Sequence, residues 1–276
     1  MPTRLLLMVL LALGCSSPEQ GSTTPRTPPP EPASEPEPAE PSEEESTATA
    51  EAAPGFDTTA WEALLDAYVT NDGGFRYAAL RGREADVARL AEVVEAVGAA
   101  SPDGWSRDAQ LAFYLNAYNV LTVNSVLSHW PLEGVMTVDG FFDEETHRVA
   151  GVDRTLNALE NEIIRDRERF GEPRIHFGVN CASVGCPWLS GDAFTAANLE
   201  AQLAALSQSF VRRTTRLEGG ALHVSQIFEW FAADFAPDGV RAFLAARLEG
   251  ELADSARDEG TALSFDEYDW ALNARP

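Results

Sequence analysis

Residues 106–129, SRDAQLAFYLNAYNVLTVNSVLSH, constrain the architecture more than any other stretch. From Leu111 to Val123 the segment is apolar nearly all round, and a helix without a polar face belongs inside a protein. At 1.5 Å per residue it is about 35 Å long, so other elements must wrap it. Ser106 is suited to cap its start, and Pro131 ends it. Asn116, Tyr118 and Asn119 fall within the apolar run. A buried amide left unpaired costs about 1–3 kcal/mol, so these side chains need partners. Either they tie neighbouring loops to the helix or they line a pocket.

The flanking sequence adds shorter elements. Trp61, Leu64, Leu65, Tyr68 and Val69 recur at helical spacing, as do Val87, Leu90, Val93, Val94 and Val97 within a helix expected over 84–97. Further helices are expected over 156–167, with Leu156, Leu159, Ile163 and Ile164 inward, and over 198–213, 240–248 and 251–257. Ser225 can cap another carrying Ile227, Phe228, Trp230 and Phe231. Short strands are expected at 135–138, 146–149, 174–180 and 262–265, with a hairpin at 217–224 turning on Gly219-Gly220. The class is α+β: a helix-rich single domain around a small, mostly antiparallel sheet, with one long buried central helix.

The ends carry different signals. Residues 1–14, MPTRLLLMVLLALG, hold one Arg and then an apolar run too short to span a bilayer but suited to a signal peptide. Leu-Ala-Leu-Gly-Cys at 11–15 resembles a bacterial lipobox. That resemblance implies cleavage before Cys15 and acylation of its sulfur, with a lipid bilayer as the partner. It places the protein in the bacterial cell envelope, and Ser16 and Ser17 favour the outer membrane. Residues 15–54 read as a tether: 39 residues from Ser16 to Pro54 are rich in Pro, Glu, Ser and Thr, without the apolar periodicity that would repay ordering. Residues 55–276 form the expected globular domain. The chain's formal net charge of −24 opposes nucleic-acid binding, which needs clustered positive charge. Nothing in the chain calls for a cofactor, and its protein or small-molecule partner is not identified by its residues.

Chemistry concentrates in RIHFGVNCASVGCPW, residues 174–188. Read as a strand, 174–180 puts His176, Gly178 and Asn180 on one face. Cys186 precedes Pro187, a residue favoured at the first position of a helix. A cysteine at such an N-terminus would be activated by unsatisfied N–H groups and the helix dipole. Cys186 with His176, oriented by Glu160 or Asp269, would then equip a thiol hydrolase or acyl transferase. Papain-like and transglutaminase-like enzymes share that layout by analogy. Asn116, Asn119, Asn180 and Cys181 are the candidate binding residues beside it. Other readings stay open. A Cys181–Cys186 disulfide would close a six-residue loop and contribute about 2 kcal/mol. A metal site from His176, Cys181 and Cys186 lacks an evident fourth ligand and standard zinc spacing. A redox pair lacks the two-residue spacing of thioredoxin-type sites. His129 suits the helix end it occupies, and His147 and His223 read as surface residues on hairpins.

The segments AFYLNAYNVLTV (112–123), LENEIIR (159–165), RIHFGVNCASVGCP (174–187), SQIFEWFAADF (225–235) and YDWALN (268–273) fall in the order seen in the domain-of-unknown-function family 547, which residues 57–273 resemble. The family's usual 159–165 segment has His after Glu. Here Asn161 follows Glu160, so a role for a second imidazole does not carry over. The resemblance implies an α+β domain and brings no established activity.

Overall fold

The computed structural model describes residues 55–276. Cys15, the signal peptide 1–14 and the tether 15–54 lie outside the described residues. Three helices open the described chain: α1 (Thr59–Tyr68), α2 (Tyr77–Arg81) and α3 (Glu84–Ala99). α1 buries Trp61, Leu64, Leu65 and Tyr68, and α3 buries Leu90, Val93 and Val97, as their spacing requires. Val87 is exposed rather than inward. The apolar run becomes α4 (Arg107–Ser128), capped by Ser106, whose side chain accepts from Ala109 N. Every residue from Leu111 to Val123 is buried. Such a cap contributes about 1 kcal/mol; the helix is held chiefly by its surroundings, because it presents apolar atoms on all sides.

Beyond α4, expectation and structure part in instructive places. Residues 135–138 form no strand; Val135–Thr137 is a 3₁₀ turn. β1 (Thr146–Val149) and β2 (Val152–Thr155) pair antiparallel, Thr146 opposite Thr155. The helix expected over 156–167 is a single α turn, α5 (Leu156–Ala158), widening into a π-helix over Leu159–Ile164. The strand expected over 174–180 is a 3₁₀ helix, Pro173–Phe177. Its start is fixed by Pro173 and by Glu172, whose carboxylate accepts from Arg174 N at 2.9 Å. Among the described residues no strand offers this segment a ladder, so apolar–polar alternation over seven residues does not make it extended.

α6 (Leu199–Thr214) leads to β3 (Arg216–Glu218) and β4 (Ala221–Ser225), the expected hairpin. Then come α7 (Ile227–Trp230), a 3₁₀ turn at Ala232–Phe235, α8 (Gly239–Ala245), α9 (Gly250–Arg257) and β5 (Ala262–Asp266). β5 joins β4 in parallel, Ala221 opposite Ala262. The α+β class holds, with two small sheets in place of one and a parallel pair in the second. Two apolar cores result. One surrounds α4; the other gathers Phe177, Phe210, Phe228 and Phe235 under the second sheet. Leu206 and Trp270 pack against both.

Candidate functional site

The two buried amides of α4 are spent on backbone. Asn116 accepts from Phe194 N at 3.0 Å and donates to its carbonyl at 2.7 Å. Asn119 donates to the Gly178 carbonyl at 2.9 Å and accepts from Asn180 N at 2.8 Å. These residues tie loops down and do not border the cavity described below. Asn180 is structural as well. Its side chain donates to the Pro187 carbonyl at 2.7 Å and accepts from Ala182 N at 3.0 Å, closing a tight loop around both cysteines.

Within that loop Ala182 has φ = 62°, a left-handed conformation that costs a non-glycine residue roughly 1–3 kcal/mol. The C-terminal tail helps hold it there. Asn273 N donates to the Ala182 carbonyl at 2.9 Å, Val184 N to Ala271 at 2.8 Å, and Gly185 N to Asp269 at 2.9 Å. A Cβ at Gly185 would lie 3.0–3.1 Å from Asp269 backbone atoms, so the absence of a side chain lets the tail approach this closely.

Cys186 is not at a helix N-terminus. No helix follows Pro187; the chain runs irregularly through 187–190. Both thiols are free, with their sulfurs 2.7 Å apart and no disulfide between them. Cys186 is buried; Cys181 is partly exposed. The Cys181 sulfur lies 2.9 Å from Ser183 Oγ and 3.0 Å from the Tyr268 hydroxyl, besides the Cys186 sulfur. Cys186 receives the Cys181 backbone N–H at 2.9 Å. When the pair loses a proton, the charge settles on Cys181, where two hydroxyls and the Cys186 thiol can all donate. Burial pushes the Cys181 thiol up, but those hydrogen bonds outweigh it and bring it down to about 7. Burial and the neighbouring sulfur push Cys186 well up. The sequence points to Cys186 as the activated thiol; the hydrogen-bond partners gather instead around Cys181.

His176 is 2% exposed and stacks on Phe231, with ring centroids 4.1 Å apart. Its Nε2 lies 2.8 Å from Asp234 Oδ2. Asp234 also accepts from Arg165 Nε at 2.7 Å. Burial raises the Asp234 carboxyl, but His176 and Arg165 outweigh it and hold it well below the ordinary carboxylate range. Asp269 does not orient His176: it is exposed, and its carboxylate accepts from Ala271 N at 2.9 Å. Asp234 holds the place that Asp269 and Glu160 were expected to compete for. Its sequence signal was one of two acids, with Glu229, inside the aromatic-rich run IFEWFAADF.

One cavity of about 330 Å³ joins these groups. His176, Cys181, Cys186, Glu160 and Tyr118 border it, with Phe231, Trp230, Tyr268, Trp270, Phe142 and Met136 making much of the remaining wall. No hydrogen bond links His176 to either sulfur among the described residues. Burial pushes the Glu160 carboxyl up, against the opposing pull of His176 and Tyr118. Asn161, next to Glu160, lies outside this cavity. It is exposed and bonds Asn157 and Arg165. Among the described residues no group of three His, Cys, Asp or Glu side chains converges as a metal site. Of the remaining histidines, His147 is buried, not at the surface as expected, with Nε2 3.5 Å from Ser125 Oγ. His129 lies 3.2 Å from Glu145, and His223 the same distance from Asp266.

Fold and site together define an α+β domain with a paired-thiol loop opening on an aromatic-walled cavity. Residues 102–211 match the model of a family described as "Protein of unknown function, DUF547". The match supports the resemblance carried by the motifs and takes in α4, the π-helix, His176 and both cysteines; Asp234, Trp230 and Tyr268 lie beyond it. No curated protein and no solved structure matches the chain.

Proposed function

We propose that the domain carries out thiol-dependent acyl transfer, as a hydrolase or acyl transferase, and that it is held in the bacterial cell envelope through a lipid on Cys15. One observation supports the chemistry best: a sulfur with three hydrogen-bond partners borders the same cavity as an imidazole held by a carboxylate. With Nε2–H donating to Asp234, the Nδ1 of His176 is the free base. It takes the Cys181 proton, directly or through a water in the cavity. The thiolate adds to a carbonyl carbon, and the bond to the leaving amine or alcohol breaks as the imidazolium returns the proton to it. Water or an acceptor hydroxyl or amine, deprotonated by the same imidazole, then attacks the thioester. The acid, ester or amide departs, and the proton returns to the sulfur.

The test is ester turnover by the full chain with p-nitrophenyl acetate. An acetyl adduct mapping to Cys181 is expected, absent in Cys181→Ser, and His176→Gln should slow turnover by about 100-fold, the lower end of general-base effects. Acetylation confined to Cys186, or turnover indifferent to His176, would overturn the reading. The missing His176–sulfur hydrogen bond favours a second reading, a tethered module that binds a small ligand without chemistry. Ligand binding unchanged in Cys181→Ser, with no turnover, would establish it. For the anchor, Cys15→Ser should move the protein from the membrane pellet to the supernatant. Unchanged pelleting would remove that part of the proposal.

A further inference from the structure

The cavity's apolar wall begins at the sulfur itself. The Tyr268 hydroxyl touches Cys181 at 3.0 Å, and its ring lies 4.6 Å from Trp270 and 5.0 Å from Trp230. Trp270 in turn lies 6.5 Å from Phe142. A group bonded to Cys181 would therefore lie along aromatic faces as it leaves the sulfur. Two large apolar side chains on this wall stay open to solvent, Trp230 at 44% and Met136 at 59%. Exposed apolar surface beside a cavity marks a place where something apolar docks. Met136, unbranched and soft, adapts to a chain of variable length rather than to one fixed shape.

Charge narrows the occupant. Among the described residues no arginine borders the cavity; its ionisable wall residues besides the cysteines and tyrosines are Glu160 and His176. In a chain of net charge −24, a carboxylate or phosphate on the occupant would find no permanent cation on the wall, only His176, already held by Asp234. A sugar would need hydrogen-bonding groups ranged along its edges; Asn157 supplies the one side-chain amide among the described wall residues, and Phe142, Met136, Trp230 and Trp270 offer only indole N–H groups. At about 330 Å³ the space is at the small end of ligand sites.

Resting on the thiol reading of the same site, we infer that the group transferred through Cys181 is an uncharged aliphatic acyl chain seated against Trp230, Trp270, Phe142 and Met136. In the covalent step the chain's carbonyl carbon forms the S–C bond, the bond to the alcohol or amine breaks, and that leaving group departs with the proton supplied by His176.

The experiment compares p-nitrophenyl acetate, butyrate and octanoate with the full chain, reading the rate of Cys181 acylation. Burial can contribute up to about fourfold per methylene, so the octanoate rate should exceed the acetate rate at least tenfold. Trp230→Ala should cut that octanoate-to-acetate ratio at least fivefold. A flat series, or a ratio that neither Trp230→Ala nor Met136→Ser changes, would overturn the inference while leaving acyl transfer standing. If no ester acylates Cys181, the thiol reading fails and calorimetry with octanamide decides the pocket. Octanamide binding that Trp230→Ala weakens at least fivefold supports an aliphatic occupant; no binding at millimolar octanamide overturns it.

Discussion

The Cys181 thiolate is stabilised by donors from both near and far in the chain: Ser183 two residues on, Cys186 five residues on, and Tyr268 in the C-terminal tail. Each donor favours the charged form, so deleting one must move the thiol's titration upward. Iodoacetamide alkylation of the native protein, followed by mass spectrometry, should have its midpoint near pH 7 at Cys181. Tyr268→Phe and Ser183→Ala should each move it to higher pH, while Cys186 reacts slowly throughout. A midpoint that stays put in both variants would show that these hydroxyls do not carry the effect. At this scale the sequence was only partly readable. The segment 174–188 announces itself through its His and two Cys; Glu160, expected to orient His176, borders the same cavity, while Asp234 takes the bond to the imidazole. Cys186 drew attention because Pro187 looked like a helix start, a local rule that the irregular chain after it does not follow. The donors on Cys181 come through tertiary packing, which residue spacing does not reveal. Asp234 is 58 residues from His176, and no periodicity links them.

Among the elements, legibility followed the strength of the pattern. α4 was readable to within a residue because an unbroken apolar run with a Ser cap admits few alternatives. The 174–180 segment was misread because seven residues cannot separate alternation from a 3₁₀ turn without knowing whether a partner strand exists; Glu172 and Pro173 were the better signal. The C-terminal tail does more than bring Tyr268 and Trp270 to the cavity. It bridges Ser183 to Leu272 and Phe75 to Ala274, so one strip of chain holds the cysteine loop and the α1–α2 connection. Asn273 is the buried joint, 3% exposed, accepting from the Tyr77 hydroxyl at 3.0 Å. Asn273→Ala leaves that hydroxyl unpaired in the core, so a loss of about 1–3 kcal/mol is expected in urea unfolding. Because the tail carries Tyr268, Cys181 alkylation at pH 7 should slow in the same variant. Full stability with unchanged alkylation would mean that the tail's position does not depend on this joint.

For the molecule as a whole, acid is the condition that tests how the fold is held electrostatically. Its basic side chains are all arginine apart from four histidines, and arginine stays charged at any working pH. Many carboxylates are paired to those guanidinium groups. Arg174 is clasped between Glu172 at 2.6 Å and Glu200 at 2.7 Å, Arg216 binds Asp266, and Arg165 shares Asp234 with His176. Asp234, Asp266 and Glu200 all have pKa values below their ordinary ones; for Asp234 and Asp266 burial opposes the shift, and the arginine and histidine partners prevail. A carboxyl lowered in the folded state contributes stability that is complete above its unfolded value, near 4, and is lost as pH falls through the folded value. Glu160 has the opposite sign, since burial raises it and protonation relieves that cost, but it is one group against several. Below the isoelectric point near 4.4 the arginines also repel one another without compensation. The melting temperature should therefore fall steeply between about pH 4 and pH 2.5, and added sodium chloride at pH 3 should restore part of it by screening. Asp234→Asn, which leaves Arg165 without its charged partner, should lose about 1.5–3 kcal/mol at pH 7, the worth of hydrogen bonds to a charged group. The gap between this variant and the wild type should narrow as pH falls below about 4, because protons then bind the carboxylate of the unfolded chain and draw the wild type toward unfolding. A gap of constant size from pH 7 to pH 2.5 would show that Asp234 acts through shape rather than through its charge.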